Sequence, residues 1–138
     1  MLKQYDLIIV GGGTAGLLTG ILLAKSRLRV AIIDQKNRNN YTSSTPPNYD
    51  SLVNALSHRS KSLLETAEVW QNISQDRISV YNNMIIRDDF GNGCVNFNAK
   101  EKNRTELGYL IENNVLNTAL LERAKSYKNI NLYFKEFV

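Results

Sequence analysis

The feature that most constrains this chain is a glycine-rich segment near its start, Gly11-Gly12-Gly13-Thr14-Ala15-Gly16, which fits the pattern G-x-G-x-x-G. It follows Tyr5 to Val10, a short apolar run with β-branched residues that predicts a buried parallel strand. Ala15 to Ser26 then predicts a helix, and Arg29 to Asp34 predicts a second buried strand. A strand, a helix and a strand within about thirty residues form a βαβ unit. This context indicates an α/β protein with a Rossmann-like, dinucleotide-binding parallel sheet.

Each glycine of the segment has a physical reason. Gly11 lets the chain turn sharply away from the strand, and Gly13 leaves room for backbone N–H groups to approach a pyrophosphate. Gly16 lets the helix pack closely on the sheet, and Gly20 keeps the same face small one turn later. The start of the helix offers unpaired N–H groups and a partial positive charge. We therefore expect a diphosphate to bind at this helix start.

An acidic residue ends the second predicted strand. Asp34 lies 23 positions after Gly11, close to the spacing of about 20 residues at which an acid hydrogen-bonds the adenosine ribose. A carboxylate at this place disfavours a 2′-phosphate, so NADP is not expected. FAD and NAD both carry an ADP half, and these residues do not separate them.

The rest of the chain alternates strands and helices without an internal repeat. Asn37 to Asp50 predicts a long loop, and Ser57 to Thr66 predicts a helix capped by Ser57, with Val69, Trp70 and Ile73 packing its end. The remaining predictions are strands at Ile78–Asp88 and Cys94–Ala99 joined by a Gly-Asn turn, a third strand of that sheet at Leu107–Ile111, a helix at Val115–Ser126 and a strand at Asn131–Val138.

Composition narrows the function classes. With 138 residues, 43% apolar and 22% charged, the chain is predicted to form one globular domain, residues 1–138. The net charge of +4 is scattered, which argues against a nucleic-acid surface.

The single cysteine, Cys94, and the lack of metal-ligand spacing predict no disulfide and no metal, and fit a reducing, cytoplasmic setting. The uncharged run Leu7–Ala24 has nearly the length of a membrane span, but its glycines favour the βαβ unit.

Several segments together resemble the N-terminal part of the FAD-dependent aromatic-ring hydroxylases, most of all the flavin monooxygenases of ubiquinone biosynthesis. The segments are DLIIVGGGTAGL at Asp6–Leu17, VAIID at Val30–Asp34, ALSHRSKSLLE at Ala55–Glu65, VW at Val69–Trp70 and LGYLIENNVLNTAL at Leu107–Leu120. The resemblance covers nearly the whole chain, and its last segment is the most specific to the hydroxylases.

The resemblance implies FAD as the cofactor and assigns roles to residues. The pyrophosphate of FAD would lie against Gly11, Gly13, Thr14, Ala15 and Gly16, and its ribose against Asp34. Asn113 is implied to lie close to the flavin with Glu112 beside it, although helix capping explains both residues equally well. The final strand would bring Phe137 and Val138 near the adenine. No catalytic residue is assigned.

Two departures from the family pattern keep other functions open. Leu52 stands where the family has an arginine that helps hold the cofactor, and the later Asp-Gly and Gly-Asp-Ala segments and the substrate-covering sheet are missing. The domain is therefore expected to be incomplete, with a second polypeptide as a possible supplier of the missing half. The alternatives are a non-catalytic remnant or binding module, and an NAD-dependent oxidoreductase domain.

The complete family enzyme implies further partners. It would use NAD(P)H as the reductant and add one oxygen atom to the ring of a polyprenylated phenol. A lipid substrate of this kind implies a peripheral membrane contact without a transmembrane segment.

Overall fold

The computed structural model describes residues 3–36 and 49–135. These residues form eight β-strands and three α-helices. The predicted βαβ unit consists of β1 (Leu7–Val10), α1 (Thr14–Ala24) and β2 (Val30–Asp34). β1 and β8 (Ile130–Phe134) both pair with β2 in parallel, in the order β1-β2-β8. The predicted α/β class with a parallel sheet is thus confirmed.

The core lies between the parallel sheet and helices α1 and α3 (Asn113–Lys125). Its fully buried members include Leu17 and Ile21 from α1, Ile32 from β2, and Leu116 and Leu120 from α3. The first strand is parallel as predicted, but it is not fully buried, because Ile8 and Val10 are 58% and 68% exposed. β1 is an edge of its sheet in the described part of the chain, and one of its faces is not covered.

A second, antiparallel sheet has the order β3-β7-β4, with β3 (Val53–Ser57), β7 (Gly108–Glu112) and β4 (Ile78–Tyr81). Helix α2 (His58–Thr66) begins directly after β3, and the Ser57 hydroxyl accepts a hydrogen bond from the Ser60 amide, which confirms the predicted cap. β3 itself was not predicted.

The predictions for residues 78–111 need two corrections. The single strand expected at Ile78–Asp88 is two strands, β4 and β5 (Asn83–Arg87), which belong to different sheets. β5 pairs with β6 (Cys94–Asn98) in the predicted hairpin, but β7 does not join it. β7 instead lies between β3 and β4. Its partners are set by long-range packing, which local sequence does not show.

Two predicted segments lie mainly outside the described residues. Of the loop predicted at Asn37–Asp50, only Tyr49 and Asp50 are described, and the Phe137–Val138 stretch is not described. In the described ranges no helix has both the length and the apolar character that a membrane crossing requires.

Candidate functional site

The glycine loop between β1 and α1 is closely packed. Gly11 has a φ of +107°, a conformation that side chains other than glycine rarely adopt. Its amide donates to the Ile33 carbonyl at 2.7 Å, which continues the pairing of β1 with β2. A Cβ atom on Gly16 would lie 1.8 Å from the carbonyl oxygen of Gly11. No residue with a side chain therefore fits at position 16 unless the loop moves.

The start of α1 is open. Its N-cap, Gly13, has extended backbone angles and no side chain with which to cap the helix, and its first turn contains no acidic residue. The first amides of a helix have no acceptor within the helix itself. In the described ranges, α2 shows the opposite arrangement, because the Ser57 side chain caps it. The geometry at Gly13, Thr14, Ala15 and Gly16 suits an anion with several oxygen atoms.

Asp34 lies beside this loop at the end of β2. One of its carboxylate oxygens accepts a hydrogen bond from the Gly12 amide at 2.8 Å, and the other accepts one from the Lys36 amide at 2.8 Å. Asp34 is only 7% exposed. The acid therefore bonds to the glycine loop, and its contact with a ribose stays a prediction.

Asn113, the first residue of α3, is connected to the glycine loop through Asn117. The side-chain nitrogen of Asn117, Nδ2, donates to the Asn113 backbone carbonyl at 2.8 Å and to the Asn113 side-chain oxygen at 2.9 Å. The Thr14 hydroxyl donates to the Asn117 side-chain oxygen at 3.2 Å. Among the described residues, the glycine loop, Asp34 and Asn113 therefore lie in one region, around the starts of α1 and α3.

Glu112 is the N-cap residue of α3, as the capping alternative expects, but its side chain makes no capping hydrogen bond. Its carboxylate instead accepts two hydrogen bonds from the Arg77 guanidinium, each 2.7 Å long, and one from the Asp50 amide at 2.6 Å. The bonds from Arg77 lower the pKa of Glu112, burial opposes that shift, and the Asp50 amide adds to it. Glu112 is part of the scaffold that holds the start of α3.

Asp50 and Leu52 complete that scaffold. The Asp50 carboxylate accepts hydrogen bonds from the Leu52 amide at 3.0 Å and from the Asn114 amide at 3.2 Å. The Leu52 carbonyl accepts one from the Asn113 amide at 2.8 Å. The Leu52 side chain itself points outward and is 65% exposed.

The sequence predictions missed two residues of this region, Asn117 and Arg77. Asn117 is 3% exposed and Arg77 is 8% exposed. For Asn117 a signal was available, because it follows Asn113 by four positions on a predicted helix, the spacing at which side chains meet. Arg77 meets Glu112 across 35 positions of sequence, and no local pattern indicates that contact.

Comparison with known proteins places the fold. Residues 5–118 match the family of pyridine nucleotide-disulphide oxidoreductases. The solved structure of PqsL from Pseudomonas aeruginosa, a probable FAD-dependent monooxygenase, superposes with a TM-score of 0.69 at 16% sequence identity. The superposition covers 96% of this chain and 33% of PqsL, and it shows a shared fold.

Curated relatives carry a more specific resemblance. The mitochondrial ubiquinone biosynthesis monooxygenase COQ6 of Dictyostelium discoideum is 28% identical over 141 aligned positions, covering 94% of this chain and 28% of the relative. The ubiquinone hydroxylase UbiM of Neisseria meningitidis is 28% identical over 136 positions, covering 96% and 29%. The resemblance predicted from the sequence is confirmed, and the chain spans less than a third of the length of these relatives.

Proposed function

The chain belongs to the pyridine nucleotide-disulphide oxidoreductase family, and we propose that it forms the FAD-binding portion of a flavin-dependent monooxygenase that hydroxylates the ring of a polyprenylated phenol in ubiquinone biosynthesis. The names and similarity of the relatives COQ6 and UbiM support this assignment. We attribute the covering of the substrate to parts that these relatives carry outside the aligned region.

The observation that carries the proposal is the open start of α1. Within residues 3–36 and 49–135, its first amides meet neither a side-chain cap from Gly13 nor an acid from the first turn, and the loop before it is fixed by the close approach of Gly16 to the Gly11 carbonyl. A diphosphate supplies the several acceptors and the negative charge that this helix start lacks. The residues present therefore fit the pyrophosphate of FAD, which Gly11, Gly13, Thr14, Ala15 and Gly16 would hold.

Asp34 would select the adenosine half. Its carboxylate lies at the end of β2 against the glycine loop, where it accepts a hydrogen bond from the Gly12 amide, and this is where the ribose next to the pyrophosphate would lie. A 2′-phosphate would meet a negative charge at the same place, which disfavours NADP. Asn113, linked to the loop through Asn117, would contact the flavin end of the cofactor.

When bound, FAD supplies the redox chemistry of the monooxygenase, with NAD(P)H as the reductant in the complete enzyme. The residues of this chain bind and orient. The α1 amides hold the phosphates, Asp34 fixes the ribose, and Asn113 fixes the ring system relative to both. No step of proton transfer is assigned to these residues.

The test is a titration of the 138-residue chain with FAD, NAD and NADP by calorimetry. We expect FAD to bind most tightly and Gly16→Ala to weaken it at least about hundredfold, because the new methyl group displaces the Gly11 carbonyl. Gly20→Ala is the matched control. Its Cβ would lie 2.6 Å from the Cδ1 atom of Ile32 and 3.5 Å from that of Ile9, which are side-chain ends and not backbone, so FAD affinity should change little. Tighter binding of NADP than of FAD would overturn the proposal.

Leu52 supports a second candidate, a dinucleotide-binding module without hydroxylase activity. Its exposed side chain cannot donate a hydrogen bond to a cofactor. Mass spectrometry after incubation of the chain with FAD, NADH and a prenylated phenol tests whether the chain alone has hydroxylase activity. We expect no hydroxylated product from the chain alone. Product that disappears in Gly16→Ala would show that the chain is itself a hydroxylase.

A further inference from the structure

A buried amide side chain connects the two helix starts of the site. Asn117 lies on the second turn of α3 and is 3% exposed. Its nitrogen donates to two atoms of Asn113, at 2.8 Å and 2.9 Å, and its oxygen accepts from the Thr14 hydroxyl at 3.2 Å. A buried amide with these partners on both ends has little freedom to rotate.

One backbone atom fixes the donor and the acceptor in each hydrogen bond that joins Asn117 to Asn113 and Thr14. The carbonyl of Asn113 can only accept, so the Asn117 atom beside it must be the amide nitrogen. The Asn113 side-chain atom facing that nitrogen must then be its oxygen, which Asn54 also approaches with its amide nitrogen at 3.4 Å. The side-chain nitrogen of Asn113, Nδ2, then faces away from Asn117 and has no acceptor in the described part of the chain.

The same bonds restrict Thr14. Its hydroxyl hydrogen is directed to Asn117 across the contact between α1 and α3. Thr14 would therefore meet a phosphate with its backbone amide, while its side chain serves as the link to α3. The position of the glycine loop and the orientation of Asn113 are coupled through a single residue.

We propose that Asn117 is a positioning residue that presents the Asn113 side chain to the flavin ring as a hydrogen-bond donor. The inference rests on the proposed function, because it takes the ligand to be FAD. The group that Asn113 recognises is then an acceptor, such as a ring carbonyl oxygen, and not a ring N–H. Asn117 touches no ligand and acts on the flavin contact through Asn113.

The experiment compares the binding of ADP and of FAD to the 138-residue chain. Asn117→Leu should leave ADP affinity unchanged, weaken FAD about fivefold and shift the visible absorption bands of the bound flavin. Asn113→Ala removes the donor at a half-exposed position and should produce the same losses even if Asn117→Leu folds poorly. Since the two residues act in one path, the double variant should lose no more than either single variant. Thr118→Val, a buried neighbour outside the network, is the control.

The outcomes separate this inference from the proposed function. Equal weakening of ADP and FAD by Asn117→Leu would show a purely structural role and overturn the inference. Unchanged FAD affinity in Asn113→Ala would overturn it as well. If the parent chain binds ADP but no FAD, the proposed function fails and this inference fails with it.

Discussion

Helices α1 and α3 begin beside each other, and each follows a strand, yet their first turns are satisfied in opposite ways. The start of α1 has a glycine N-cap and no acid in its first turn. The start of α3 is closed by the protein itself, because the Leu52 carbonyl accepts from the Asn113 amide and the Asp50 carboxylate accepts from the Asn114 amide. The first turn of α3 thus already has a carboxylate acceptor in Asp50, whereas Asp34, the carboxylate beside α1, accepts from Gly12, which precedes that helix.

The difference teaches which helix start can take an anionic ligand. A strand, a turn and a helix can make either a binding site or a piece of scaffold. A carboxylate of the protein that accepts from the first-turn amides makes the helix start part of the scaffold. At α3 those carboxylates are Asp50 and, through Arg77, Glu112. Separate substitutions should therefore lower the stability of the scaffold around α3 and change the FAD affinity of the site at α1.

The largest expected effect concerns the scaffold. Glu112→Gln removes the charged partner of Arg77, whose side chain is only 5% exposed, and should lower the melting temperature by roughly 5–10 °C at pH 7. Arg77 lowers the pKa of Glu112 in the folded state. The stabilisation is therefore present above the unfolded pKa of about 4.3 and is lost as the pH falls through the lower folded value. Scanning calorimetry between pH 3 and pH 7 should show a weaker pH dependence in the variant.

Glu65→Gln is the control for this variant, because Glu65 pairs with Lys61 on an exposed helix surface. An exposed pair of this kind contributes little to stability. Equal melting temperatures for the parent and Glu112→Gln would show that the ion pair does not hold the start of α3.

The next effect concerns the ligand side. Asp34→Ala removes an acceptor from the proposed ribose contact and from the Gly12 amide, which should cost roughly 1.5–3 kcal/mol of binding, or about one to two decades in FAD affinity. Asp34→Asn keeps one oxygen, and its FAD affinity should lie between those of the parent and Asp34→Ala. Asp89→Ala changes an exposed aspartate elsewhere and should bind like the parent. Parent-like affinity in Asp34→Ala would remove the ribose role.

A smaller effect is expected where α3 is capped. Asp50→Ala leaves the Asn114 and Leu52 amides without their acceptor and should lower the free energy of unfolding by about 1 kcal/mol. ADP affinity should not change, because this cap serves α3 and not α1. Urea denaturation and an ADP titration measure the two quantities, and Asp50→Asn should recover part of the stability. A loss of ADP affinity without a loss of stability would mean that the start of α3 belongs to the phosphate site.

The smallest effect is a gain. Leu52→Arg places a donor at the position where the resemblance to the hydroxylases implies an arginine, on a side chain that is 65% exposed and outside the core. We expect FAD affinity to rise by about three- to tenfold. Leu52→Ala, which adds no donor, should show no rise. If both variants bind FAD equally, the arginine position makes no contact in this chain.

The sequence predicts the parts of this structure that depend on near neighbours. The βαβ unit, the turn at Gly11 and the Ser57 cap all arise within a few residues of chain. The position of β7 between β3 and β4 does not, because its partners lie about 30 and 55 positions earlier and compete with the nearer hairpin. The role of Asn117 is hidden for the same reason, since it requires Thr14 from a helix 103 positions away.

The contact between Gly16 and the Gly11 carbonyl also has a genetic consequence. Every missense change of a glycine codon introduces a Cβ atom, and at position 16 that atom would lie 1.8 Å from a backbone oxygen. Codon 16 can therefore drift only through its silent third base while the gene is selected for an intact loop. Natural variants of this gene thus report on its use. Missense changes at codon 16 as frequent as those at codons for exposed residues would mark a copy that selection no longer maintains.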